Sequence, residues 1–147
     1  MRHRKKGKKL NRTKAHRKAL KRNLINNLVT YGKIETTIAK AKMLKTFADT
    51  FFSRIRKNDL SAKRRAKSVL TTKEAFQKVF TDDFIEFLNS RTGGYTRVIR
   101  TRYRKGDAAQ MAIIELTGKY DPKEKKEKPK PKTTSPDRSR TAMEVDL

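Results

Sequence analysis

The residues of this chain best able to do chemistry are cations, and their spacing suits the binding of phosphate. Thirteen Lys and Arg fall in the first thirty-four residues, and Glu35 is the first carboxylate. They are Arg2, Arg4, Lys5, Lys6, Lys8, Lys9, Arg12, Lys14, Arg17, Lys18, Lys21, Arg22 and Lys33. No acid near them in sequence can neutralise them, so a polyanionic partner must supply the counter-charge. A second concentration is the stretch Tyr95-Thr96-Arg97-Val98-Ile99-Arg100-Thr101-Arg102-Tyr103-Arg104, with Arg91 just before it. Basic and aromatic residues interleaved with β-formers suit phosphate contacts with occasional stacking on an exposed base. Arginine predominates there, and its planar fork matches phosphate oxygens better than a lysine point charge does. The competing reading is a solvated strand face over a core, and the basic start of the same chain favours the binding one.

Other chemistry is poorly supported. A hydrolytic or metal centre needs clustered His, Asp or Glu, whereas the only histidines, His3 and His16, lie in the acid-free zone. They are read as hydrogen-bond donors or stacking groups rather than ligands, the alternative being plain solvated side chains. Asp82, Asp83 and Glu86 form the one acidic cluster. Their four-residue helical spacing can hold a cation, but a solvated helix face is the commoner meaning. Gly93-Gly94 lacks a Walker lysine or a dinucleotide fingerprint and reads as a turn. No cofactor, metal or small-molecule substrate is expected. The chain has no cysteine, which removes disulfides, thiolate nucleophiles and cysteine-ligated metals.

The elements that must position these residues follow from periodicity. At 147 residues and 34% hydrophobic content the chain has room for one domain with one modest core. Residues 1–12, with Met1 and Leu10 as their only sizeable apolar groups, read as an arm that orders on its partner. Thr13 can cap a helix reaching Tyr31, with Gly32 as its stop and Leu20, Leu24, Leu28 and Tyr31 as the apolar face. Residues 33–37 alternate as a half-buried strand does. Residues 38–57 carry Ala41, Leu44, Ala48, Phe51, Phe52 and Ile55 at helical spacing. A short basic helix is expected over residues 60–70.

Thr71-Thr72-Lys73-Glu74 has the spacing of a capping box, so another helix begins near Thr72. Its apolar stripe is Ala75, Phe76, Val79 and Phe80, extended by Phe84, Phe87 and Leu88 past a possible break at Thr81-Asp82-Asp83. Core packing is the expected role of that stripe. Thr92-Gly93-Gly94 ends the helical part. Residues 95–104 and 109–117 are then two strands of an antiparallel hairpin turning at Lys105-Gly106-Asp107. All four prolines lie beyond Tyr120, so residues 121–147 are expected to be a disordered Lys/Glu/Pro tail and residues 13–120 the folded body. The tail holds eight basic and six acidic groups out of 40 and 15, which leaves 32 against 9, or +23, on the first 120 residues.

No run approaches eighteen apolar residues and no apolar stretch follows the basic start, so neither a membrane span nor a secretory signal is expected. An Arg-rich, acid-free start can also be an organellar transit peptide, but residues 1–12 lack Ser and an apolar face. Between DNA and RNA, no groove-reading helix, wedge or half-site symmetry is evident, and scattered Arg patches suit an irregular folded RNA better.

Several stretches in register resemble a known family. The opening M-R-H-R-K, then Leu10, Arg12, His16-Arg17-Lys18-Ala19 and Asn23, is similar to the start of the bacterial large-subunit ribosomal protein family numbered seventeen in its series. Glu35-Thr36-Thr37, Lys40-Ala41-Lys42, the R-x-G-G-Y-T-R run from Arg91 to Arg97, Arg104-Lys105-Gly106-Asp107, Ala109, Met111-Ala112 and Ile114-Glu115-Leu116 continue it. The likeness spans residues 1–118 without a large gap, does not cover the tail, and is less recognisable around residues 60–70.

The resemblance implies a two-layer, single-domain α+β fold of order β-α-α-α-β-β after an N-terminal helix. It also implies a cytoplasmic, non-enzymatic constituent of the large ribosomal subunit near the nascent-chain tunnel exit, whose partners are ribosomal RNA and neighbouring ribosomal proteins. The RNA-binding candidates are Arg2, His3, Arg4, Lys5, Lys6, Lys8, Lys9, Arg12, His16, Arg17, Lys18 and Arg22 on one surface. Arg91, Tyr95, Arg97, Arg100, Arg102 and Arg104 are the candidates on the other. A free nucleoid protein or RNA chaperone is the second hypothesis, and a nuclease built on Asp82, Asp83 and Glu86 the third.

Overall fold

The computed structural model describes residues 7–118, which form five helices and a three-stranded antiparallel sheet in an α+β arrangement. Helix α1, Lys14–Tyr31, starts where Thr13 Oγ1 accepts from the His16 amide. It stops at Gly32, whose positive φ of 73° lets its N–H turn back to the Leu28 carbonyl. Its buried face is Ile25, Leu28 and Val29 with Asn26; of the expected stripe Leu28 is buried and Leu24 packs against the core, but Tyr31 is 65% exposed. No residue of α1 before Ile25 is buried. The core therefore meets α1 through Ile25, Leu28 and Val29, while Tyr31 in the last turn stays in solvent.

Strand β1, Lys33–Thr37, leads directly into α2, Ile38–Ile55, whose buried residues are the six expected from spacing. Leu44, Phe52 and Ile55 are fully buried, and each contributes about 1.5–3 kcal/mol by leaving water. Helix α2 packs against all three strands and is the spine of the core. Asp59 caps α3, Leu60–Val69, by accepting from the Ala62 amide at 2.6 Å.

Two features differ from expectation in the next segment. Four helices, not three, separate β1 from β2, because the chain breaks at Phe80 and Thr81 between α4, Lys73–Val79, and α5, Asp82–Asn89. Asp82 and Asp83 sit in the first turn of α5, where negative charge meets the positive end of the helix dipole. The capping box does not close: Thr72 is the N-cap without a side-chain bond, and Thr71 is engaged by Asn26 instead.

Strands β2, Thr96–Tyr103, and β3, Gln110–Leu116, form the hairpin, and β1 pairs with the far edge of β3 to give the order β1-β3-β2. At the turn the Arg104 amide donates to the Ala109 carbonyl, with Gly106 at φ 100° and Ala108 at φ 49°. Ala112, Ile114 and Leu116 of β3 are buried under the helices, so by register Ile99, Ile113 and Glu35 occupy the opposite sheet face. Residues 1–6 and 119–147, which include the first half of the arm and the whole tail, lie outside the described residues.

Candidate nucleic-acid interface

The first basic surface is built where the arm meets α1. Residues 9–12 make a tight turn closed by the Arg12 amide on the Lys9 carbonyl, with Leu10 and Asn11 both at positive φ. The Arg17 guanidinium donates to the Arg12 carbonyl, and Arg12 itself bonds the ring of His16. Three candidates, Arg12, His16 and Arg17, are thereby joined in one cluster. Lys8, Lys9, Lys14 and Lys18 are exposed around it. Among the described residues no carboxylate forms an ion pair with any cation of the arm or α1. Arg22 serves differently: its guanidinium donates to the Ser68 carbonyl at 2.8 Å and ties α1 to the end of α3. Arg2, His3, Arg4, Lys5 and Lys6 lie outside the described residues.

The second surface is the β2 edge and its hairpin, and here the guanidinium groups differ in availability. Arg97 places Nε and Nη2 on Glu115 Oε1 at 2.9 and 2.6 Å. Strict alternation puts Arg102 beside Arg100, but the register shifts between Arg100 and Tyr103, and Arg102 Nε lies 3.5 Å from Glu35 across the sheet. Arg104 grips both oxygens of Asp107 at 3.0 and 2.5 Å. That grip, with help from the Ala109 amide, holds the Asp107 carboxyl down at about 2, and the same contact raises the Arg104 pKa. Arg100 is exposed and has no ion-pair partner among the described residues.

Tyr95 does not belong to this surface. It is fully buried, its ring meeting Phe52 and Phe87 at centroid distances of 6.0 and 6.5 Å, and its hydroxyl donates to the Arg91 carbonyl at 3.3 Å. Position beside an arginine strand suggests a base-stacking group, but Tyr95 lies just ahead of β2 and its ring is packed in the core. Tyr103, at the other end, is 66% exposed. Arg91 is half-buried, and its carbonyl also accepts from Arg56 at 3.1 Å.

Sequence reasoning missed a third group. Lys21, Lys42, Arg54 and Arg65, from three different helices, converge on one groove. Met43, Phe47 and Phe51 at four-residue steps are a second apolar stripe on α2, the signal that marks the groove.

A family model described as ribosomal protein L17 matches residues 20–117. The chain belongs to the ribosomal protein L17 family. Relatives named large ribosomal subunit protein bL17 are 47% identical in Desulforapulum autotrophicum and 49% identical in Helicobacter hepaticus. Each alignment spans 116 residues and 79% of this chain, covering 96% and 99% of the respective relatives. A third, from Campylobacter lari, is 48% identical over 79% of this chain and 98% of its own length. The L17 family consists of structural ribosomal proteins, and this member is not an enzyme. Among the described residues no three His, Cys, Asp or Glu gather as metal ligands, and no helix is long and apolar enough to cross a membrane.

Proposed function

We propose that this chain is a constituent of the large ribosomal subunit, where it binds folded ribosomal RNA and neutralises phosphates that pack closely together. The observation that carries this reading is the basic cluster of the arm and α1, exposed and free of carboxylate partners among the described residues. Such a surface gains affinity by releasing counter-ions from a polyanion. The names of its L17 relatives supply the particle. Residues 1–12 act as the RNA-clasping arm and residues 13–120 as the body that displays both surfaces, followed by the Lys/Glu/Pro tail of residues 121–147. The particle sits in the cytoplasm, with the protein near the nascent-chain tunnel exit among other ribosomal proteins.

Sedimentation tests this. The native protein is expected to travel with large subunits through a gradient at moderate salt, and its appearance at the top of the gradient would overturn the reading in favour of a free nucleic-acid binder.

A further inference from the structure

The groove between α1, α2 and α3 is a separate feature. It is an open concavity of about 570 Å³, inside the range of roughly 300–1,000 Å³ typical of sites that enclose a small ligand. Its floor is apolar. Phe51 is buried, and Phe47, one turn earlier on α2, is partly exposed, with its ring nearly parallel to that of Phe51 at 17° and 6.4 Å between centroids. Met43, a further turn back, extends the floor.

The rim is cationic. Lys21 of α1, Lys42 and Arg54 of α2 and Arg65 of α3 surround the floor, and Lys8 of the arm stands beside them. No carboxylate is among the described residues lining the groove. Lys21 Nζ lies 5.6 Å from the Phe47 centroid, over the ring. Cations gathered around so small an opening repel one another and destabilise the fold unless an anion joins them. A phosphate alone would leave the apolar floor wet, and an apolar group alone would leave the cations uncompensated. A nucleotide satisfies both, with its base on Phe47 and its flanking phosphates on Lys42, Arg54 and Arg65.

We infer that this groove receives a single unpaired RNA nucleotide, turned out of a helix at a bulge or loop. The inference rests on the proposed RNA-binding function and narrows it to a class of RNA structure. Unstacked bases settle on aromatic side chains in this way, and any base can do so because each has a π-face. The base extends the Phe51–Phe47 stack, and Lys21 leaves the ring for the base edge or a phosphate.

Two hairpin RNAs of equal stem length test it, one fully paired and one with a single-nucleotide bulge of 2-aminopurine, each titrated with the full-length protein. The bulged RNA is expected to bind roughly tenfold more tightly, with quenched emission. Phe47→Leu, which keeps the groove apolar, should abolish both the preference and the quenching. Arg65→Gln should lower the log–log salt slope for the bulged RNA by about 0.7–0.9. Equal affinity for the two RNAs, or a preference that survives Phe47→Leu, would sink the groove reading while leaving general RNA binding intact. In assembled particles, a benzophenone side chain placed at Met43 should give an RNA adduct. A protein adduct, or none, overturns the inference even where the protein still sediments with the large subunit.

Discussion

Asn26 of α1 and Thr71, at the junction of α3 and α4, hold each other through two hydrogen bonds. Asn26 Nδ2 donates to Thr71 Oγ1 at 2.6 Å, and the Thr71 amide donates to Asn26 Oδ1 at 3.3 Å. Asn26 is 5% exposed, so its side-chain amide has little access to water in place of Thr71. This contact, forty-five residues apart in sequence, commits Thr71, the first residue of the expected capping box, to α1. Asn26→Leu should therefore destabilise the fold by about 1–3 kcal/mol, because the Thr71 amide loses its partner at a part-buried site. Chemical denaturation of the two proteins checks this, and an unchanged midpoint would show that the pair is incidental.

Tyr95 separates core from interface. Tyr95→Phe removes only a long hydrogen bond to the Arg91 carbonyl, with an expected cost of about 0.5–1.5 kcal/mol, while affinity for ribosomal RNA stays the same. Tyr95→Ala leaves a cavity beside Phe52 and should cost about 3–5 kcal/mol, as large aromatic truncations do. A fall in RNA affinity for Tyr95→Phe at unchanged stability would return this residue to the binding surface.

The Arg104–Asp107 pair gives a pH dependence with a definite sign. Asp107 ionises at about 2 in the folded chain, below its ordinary value of 3.8, so it contributes stability above pH 4 that is lost as acid carries the pH down through the folded value. Carboxyl NMR titration should find the low midpoint, and Arg104→Gln should move it back towards the ordinary range. The pair is solvent-exposed, so the effect on melting is small. Asp107→Asn should also release Arg104 and steepen the salt dependence of RNA binding.

The arginines of β2 should not count equally. Arg100→Gln removes an exposed cation with no ion-pair partner among the described residues, and is expected to lower the log–log salt slope of RNA binding by roughly 0.7–0.9. Arg97→Gln removes a guanidinium already held by Glu115, so its effect should be smaller. Equal slopes for the two variants would show that RNA displaces Glu115 and takes Arg97 for itself.

Lys78 of α4 donates to the Thr30 carbonyl at 2.5 Å, in the last turn of α1, where helix carbonyls lack intrahelical partners. Burial pushes its pKa below the usual lysine value. Lys78→Met should cost on the order of 1 kcal/mol, discounted for the side chain's partial exposure, and thermal unfolding would register it.

Much of this protein is determined by local sequence. Thr13 and Gly32 mark the ends of α1 because capping and positive φ are properties of single residues. The stripe from Ala41 to Ile55 reads correctly because one helix face is buried along its full length. The +23 on the first 120 residues requires an anionic partner whatever the fold, and the acid-free run to Lys33 places most of that demand at the start of the chain.

Other properties exist only once the chain is folded. Whether Tyr95 faces a base or the core depends on how the loop before β2 docks on α2 and α5, where Phe52 and Phe87 receive its ring. Which arginines are free depends on Glu35, Glu115 and Asp107, two of which reach their partners across strands. Tyr31 is exposed and Ile25 buried because α1 turns the face of Ile25, Leu28 and Val29 onto the core. The groove draws Lys21, Lys42, Arg54 and Arg65 from three helices, and no spacing along the chain encodes that meeting. Charge and periodicity are one-dimensional and legible in sequence, whereas convergence of side chains from distant elements is set by how the helices pack.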